Sequence, residues 1–120
     1  MPSLIDEHLI ENATPLPAGG RVQTRGIDVR GAQYVAVNVS IGSNDPEVSR
    51  TIYFGRTTNN AFAPFRTDNF GHINSLLTFI PVCGPEVMVI VENHGPRHTD
   101  CDGTVCGQGG SLSPARRGRA

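Results

Sequence analysis

The chain has 120 residues, of which 38% are hydrophobic and 18% charged, with a net charge of −1 at pH 7. This length suits one domain, and the composition excludes both a chain that is disordered throughout and a membrane-spanning helix. The near-neutral charge gives no whole-protein reason to expect nucleic-acid binding. All ten basic residues are Arg, so the strand edges lack lysine, a common device against strand association.

The first twenty residues are predicted to form an arm and a linker rather than part of the core. Residues 3–11 place Leu4, Ile5, Leu9 and Ile10 at helical spacing, which predicts either a short helix or a mobile arm. Two Pro and a Gly pair in residues 13–20 predict a connector. Residues 1–12 lack the basic start and apolar block of a secretory signal. We therefore expect a cytoplasmic protein by default, with assembly in a virion or at a surface as the alternative.

From residue 21 the pattern changes to short strands separated by Gly, Pro and Asn. Residues 34–41 alternate strictly, with Val35, Val37 and Val39 on one face and Tyr34 on the other. Residues 87–91 are apolar at every position, which predicts a strand at a sheet centre, covered on both faces. Further strands are predicted at residues 21–29, 48–55, 61–65 and 76–82, with residues 66–75 as a long connection.

The sequence predicts an all-β fold, an antiparallel β-sandwich of six to eight short strands over residues 21–106. Its strand–turn rhythm resembles the small jelly-roll modules of virion and bacterial surface proteins. Residues 99–106 form the predicted last strand, and residues 107–120 a disordered tail rich in Gly, Ser and Arg. A last strand this short predicts either an open sheet edge beside it, where a partner's strand can add, or an early end with an inert tail.

One cluster of potential metal ligands falls near the end of the domain. His94, His98, Cys101 and Cys106 lie within thirteen residues and supply the donors that zinc prefers. The spacing is not a recurrent zinc-site spacing, and an odd separation along a strand turns Cys101 and Cys106 to opposite faces. A turn with incidental His residues, followed by a strand with small buried thiols, is therefore favoured over a zinc site. Cys83 can pair with another Cys only if their strands are neighbours, and three free thiols are the default.

A second candidate site combines aromatic rings with Arg and Asn in the middle of the chain. Rings of this kind can line a carbohydrate platform or a protein interface. Core filling is favoured for Phe54 and Phe79, whereas the rings in loop-like sequence remain open to either use. The candidate ligand- or partner-binding residues are Phe62, Phe65, Phe70, Arg56, Arg66, Asn59 and Asn60.

No catalytic motif is complete in the sequence. It contains no G-x-S-x-G elbow, no phosphate-binding Gly loop before a helix and no His-x-His pair of the cupin type. The sequence therefore predicts a non-enzymatic structural or interaction module that presents a sheet face or an open edge to a protein partner or another copy of itself. The alternatives are a carbohydrate- or small-ligand-binding module that uses loop aromatics and, less favoured, a metal-binding jelly roll.

Overall fold

The computed structural model describes residues 4–42, 47–71 and 73–109, and this part of the chain contains nine strands and no helix. Accordingly, no membrane-spanning helix occurs among the described residues. The strands are β1 (Leu4–Leu16), β2 (Arg21–Gln23), β3 (Ile27–Asp28), β4 (Ala32–Ile41), β5 (Val48–Arg56), β6 (Ala61–Asn69), β7 (Ser75–Pro81), β8 (Glu86–Asn93) and β9 (Thr99–Gly109).

The strands form two antiparallel sheets that pack against each other. Sheet A has the order β1-β9-β4-β7, and sheet B has the order β2-β8-β5-β6, with β3 also pairing with β8. The predicted antiparallel β-sandwich is confirmed. The likeness to a jelly roll stays a prediction.

The alternating pattern of β4 explains how the sheets meet. Val35, Val37 and Val39 are fully buried against sheet B, as the alternation predicted. Strand β8 lies inside sheet B, between β2 and β5, and its five apolar residues from Val87 to Val91 are all buried. The predicted central position of residues 87–91 is therefore confirmed.

The prediction of an N-terminal helix or arm was wrong, because residues 4–16 form strand β1. This strand pairs with β9 along its length, with register shifts between His8 and Ile10 and between Ile10 and Thr14. These register shifts turn the irregularly spaced residues Leu9, Ile10 and Leu16 toward the core, where all three are buried. Hydrogen bonding to the edge of β9 therefore determines the structure of residues 4–16, because a helix this short is only marginally stable on its own. Within the expected connector, only residues 17–20 form a turn.

Both predicted alternatives for the last strand, an open edge beside it and an early end at residue 106, were wrong. Strand β9 extends to Gly109, three residues beyond the expected end, and lies between β1 and β4 inside sheet A. It pairs with β1 on one side and with β4 on the other. The first strand pairs with β9 along the edge that one of these alternatives left open. The rest of the predicted tail, residues 110–120, lies outside the described residues.

Residues 61–69 form one continuous strand rather than a short strand and a long connection. Strand β6 pairs with β5 from Arg56–Ala61 to Ser49–Asn69, with one register shift between Ile52 and Tyr53. Pairing with β5 holds residues 66–69 in the strand, although these polar residues carry no strand signal of their own. Strand β6 is consequently an edge strand of sheet B.

Candidate interaction surface

Three large apolar side chains lie exposed on the outer face of sheet A. Tyr34 of β4 is 51% exposed, and Leu77 and Phe79 of β7 are 71% and 72% exposed. The rings of Tyr34 and Phe79 stack in parallel, with centroids 5.8 Å apart and an interplanar angle of 5°. Because Tyr34 is paired with Pro81 and Phe79 with Ala36, the two rings are diagonal neighbours across two strands. We call Tyr34, Leu77 and Phe79 the outer patch.

The outer patch adjoins an open edge of sheet A. Among the described strands, β7 pairs only with β4. Ile41 N–H donates to the carbonyl of Asn74 and Val82 N–H to the carbonyl of Gln33, so the even-numbered residues of β7 direct their main-chain groups toward β4. Main-chain direction alternates along a strand. The main-chain groups of Leu77 and Phe79 therefore face away from β4, toward the open edge.

A buried arginine holds β7 against the opposite sheet. Arg50 of β5 has no exposed side-chain surface. Its Nη2 donates to Asp68 Oδ2 at 2.5 Å and to Thr78 Oγ1 at 2.6 Å, and its Nη1 donates to the carbonyl of Leu76 at 3.2 Å. Two of these acceptors belong to β7 in sheet A, so the guanidinium joins edge strand β7 to sheet B.

The ion pair between Arg50 and Asp68 affects the pKa of both side chains. Burial lowers the pKa of Arg50 from its ordinary value, while the bond to Asp68 opposes that change. Burial by itself raises the pKa of Asp68, but hydrogen bonds from Arg50 and Arg66, together with their charges, outweigh burial and lower it overall. Asp68 stays ionised near neutral pH, and its charge compensates that of the buried guanidinium.

The predicted aromatic site is not gathered in loops. Phe62 and Phe65 lie in strand β6, where Phe62 is half-buried and Phe65 is 41% exposed. The Phe65 ring packs edge-to-face on Phe54, with centroids 5.4 Å apart. Phe70 is 1% exposed and belongs to the core, so its assignment to a binding surface was wrong.

The polar members of that predicted site are spread along the β5–β6 hairpin. Arg56 ends β5, and Asn59 and Asn60 lie in the exposed turn that follows, with Asn60 in the left-handed region at φ 49°. Arg66 is half-exposed and its Nε donates to Asp68. Phe65 is thus the one exposed ring among the three predicted, and carbohydrate binding stays a prediction without a platform of several rings.

The four candidate metal ligands do not come together. His94 and His98 are exposed in the turn between β8 and β9, and Ser49 Oγ lies 3.4 Å from His94 Nε2. Cys101 is buried and Cys106 is exposed, on opposite faces of β9. The described residues contain no group of three or more His, Cys, Asp or Glu side chains placed to hold a metal ion.

All three cysteines are free thiols with different surroundings. Cys83 and Cys106 are exposed, whereas Cys101 is buried. Burial, followed by the charges of Asp100 and Asp102, raises the pKa of Cys101 to about 11. Cys106 pairs across the sheet with Ala36, the partner of Phe79, so this thiol lies on the same outer face as the outer patch.

No protein-family model matches the sequence, and no curated protein matches it. The fold, by contrast, is similar to solved structures. The PBSX exported protein XepA is similar with a TM-score of 0.70 at 14% identity, over 97% of this chain and 41% of that chain. The chain therefore spans less than half of that structure.

Two further structures with this fold belong to assemblies, a pilus and a subviral particle. One comes from Bacillus endospore appendages that form disulfide-linked pili, with a TM-score of 0.57 at 9% identity over 91% of this chain and 90% of that chain. The other is the infectious bursal disease virus VP2 subviral particle, with a TM-score of 0.54 at 9% identity over 94% of this chain and 34% of that chain. At these identities the likeness shows a shared fold.

Sequence reasoning missed most of the outer patch. Phe79 was expected to fill the core, and Leu77 was not singled out. Residues 76–80 read Leu-Leu-Thr-Phe-Ile, which places apolar residues on both faces, so alternation did not show which face is buried. For Tyr34 the signal existed, since the pattern already placed it opposite the buried valines.

Proposed function

We propose that this chain is a non-enzymatic structural module that associates with further copies of itself to build an assembly. The outer patch is the observation that carries the proposal. Three large apolar side chains at a sheet edge keep half or more of their surface in water, although most of the Val and Ile side chains described in the two sheets are buried in the core. An exposed cluster of this kind marks an interaction surface.

The chemistry of the outer patch suits a protein surface as its partner. Tyr34 and Phe79 present two stacked rings, and aromatic residues are enriched at the centres of protein interfaces. The neighbouring positions Ser40 and Ser75 form a hydroxyl pair at 3.0 Å, which supplies a polar margin on the same face. The fold shared with pili and a subviral particle supports association with identical copies.

Sedimentation of the full chain over about a hundredfold range of concentration tests this proposal, because self-association shifts with protein concentration. We expect the wild type to sediment as a larger species as the concentration rises. The double variant Y34S/F79S, which removes both rings, should remain monomeric. Gln23→Ser, on an exposed position of sheet B, is the matched control and should behave as the wild type. A wild type that stays monomeric throughout would overturn the proposal.

We also propose that the assembly is exported or displayed at a surface, in place of the cytoplasmic default. The support is the shared fold with an exported protein and with endospore appendages. Fractionation of the source cells, followed by antibody detection, tests the location. Recovery of the protein only in the cytosolic fraction would contradict export.

A further inference from the structure

We infer that self-association occurs through the open edge of β7, which pairs antiparallel with β7 of a second copy and joins the two A sheets into one. This inference rests on the proposed function, since it names the surface through which the copies meet. It depends on the chemistry of the four sheet edges, of which only the β7 edge lacks protection against pairing.

Three of the edges carry devices that oppose the addition of another strand. Strand β1 has exposed Glu7 and Glu11 and two register shifts. Strand β6 contains Pro64 in its interior and the charged residues Arg66 and Asp68, with a register shift in its ladder. Charges, proline and bulges at an edge are the means by which sheets avoid association.

The third protected edge, formed by β2 and β3, is short. These strands have three and two residues, and exposed Arg21 and Asp28 place charges on them. An edge of this length offers few main-chain groups in line. No unprotected edge other than β7 therefore exists among the described strands, so the strand that fits β7 is a second β7.

Strand β7 is suited to pairing with itself. Its seven residues, Ser75–Pro81, carry no charge, and its ladder with β4 has no register shift. Two antiparallel copies of β7 therefore bring no like charges together. A twofold axis relates the two copies, so each contributes the same surface to the interface. The one proline, Pro81, is the last residue of the strand, where it removes only a terminal donor.

An antiparallel arrangement centred on Thr78 overlaps the whole strand. It places Leu77 of each copy opposite Phe79 of the other, and about six main-chain hydrogen bonds form at the previously open edge. The outer patches of the two copies then lie on the same face and become continuous. The Thr78 side chain and the Leu76 carbonyl, which accept hydrogen bonds from Arg50, keep their places.

A matched pair of variants at one position separates edge pairing from contact through side chains alone. Both Leu77→Ala and Leu77→Pro remove the Leu side chain, but only Leu77→Pro also removes the N–H that points to the open edge. The bonds to β4 use the even-numbered residues, so proline at 77 leaves that ladder intact. In sedimentation we expect L77A to associate a few-fold more weakly than the wild type, and L77P at least about tenfold more weakly than L77A.

Amide hydrogen exchange of the wild type gives a second measurement that does not depend on a variant folding. On association, the amides of Ser75, Leu77 and Phe79 should exchange at least about tenfold more slowly, while the amide of Thr67, which faces away from β5 on edge strand β6 of sheet B, keeps its rate. Association with unchanged exchange at these three amides, or with equal affinities for L77A and L77P, would overturn the edge pairing and leave the proposed function standing. A wild type that never associates removes both.

Discussion

Arg50 Nη2 donates a hydrogen bond of 2.6 Å to Thr78 Oγ1, and this bond connects the two sheets of the sandwich. Arg50 lies in β5 of sheet B, and Thr78 lies in β7, at the edge of sheet A. The position of the proposed interaction edge therefore depends on a charged side chain that is fully buried. Such a group stabilises a fold only while its partners remain in place.

Replacement of Arg50 by Met should destabilise the domain by about 3 kcal/mol, because it leaves Asp68 without its buried partner. Chemical denaturation measures the loss. Arg66→Met is the control, since Arg66 bonds the same carboxylate from a half-exposed position and should contribute at most about 1 kcal/mol. Equal effects of the two substitutions would contradict a special role for the buried arginine.

The same ion pair predicts a loss of stability in acid. The pKa of Asp68 is lower in the folded chain than in the unfolded chain, so between the two pKa values the unfolded state binds more protons. The stabilisation is complete above about pH 4 and is lost as the pH falls through the lowered folded pKa. Denaturation of the wild type and of Asp68→Asn at several pH values checks this, and the variant should show a flatter acid limb.

Asp28 provides the comparison for that measurement. Hydrogen bonds from Arg30 lower the pKa of Asp28 to about 2, but this pair is exposed. Asp28→Asn should change the acid limb less than Asp68→Asn does, because solvent screens an exposed pair. A larger effect of Asp28→Asn would show that burial of the Arg50–Asp68 pair does not determine how stability falls in acid.

The two faces of β7 give a direct test of which residues belong to the core. Ile80 is 2% exposed and Leu77 is 71% exposed on the same strand. Ile80→Ala should cost about 2–5 kcal/mol through lost burial and a residual cavity. Leu77→Ala should change the stability of the monomer by at most about 0.5 kcal/mol. Denaturation at low protein concentration compares the two, and similar costs would contradict the orientation of the strand.

Where one face of a strand was clearly apolar, the sequence predicted the structure well. The alternating valines of β4 indicate a strand buried on one face, and the continuous apolar run of β8 indicates a strand buried on both faces, as the structure has them. The fold class followed from these strands and from the turns between them.

The failures share a different cause, which is that long-range pairing decides the local structure. Residues 4–16 become a strand because β9 offers them a ladder, and residues 66–69 because β5 does. Neither partner is visible in the local sequence. The same holds for Phe79, whose exposure follows from the edge position of β7 rather than from its own character.

Gly55 marks the place where the β5–β6 hairpin tolerates no side chain. A Cβ atom at Gly55 would meet the carbonyl oxygen of Ala61 and lie 2.6 Å from Phe62 Cα, both in the backbone of the paired strand. The backbone cannot move aside as a flexible side chain can, so we expect Gly55→Ala to destabilise the domain by about 2 kcal/mol or more.

Gly103 in β9 is the matched control, since its added Cβ would make ordinary contacts of 3.4 Å or more. Gly103→Ala should therefore change the stability by less than about 1 kcal/mol.

The two classes of cysteine should differ in reactivity. Cys83 and Cys106 are exposed, whereas burial raises the pKa of Cys101 to about 11, so little thiolate forms there at neutral pH. With a thiol reagent at neutral pH, the native chain should react at two sites and the denatured chain at three. Cys106→Ser should remove one native site, and Cys101→Ala should remove none. A fast third site in the native chain would show that β9 opens around Cys101, which would contradict its position between β1 and β4.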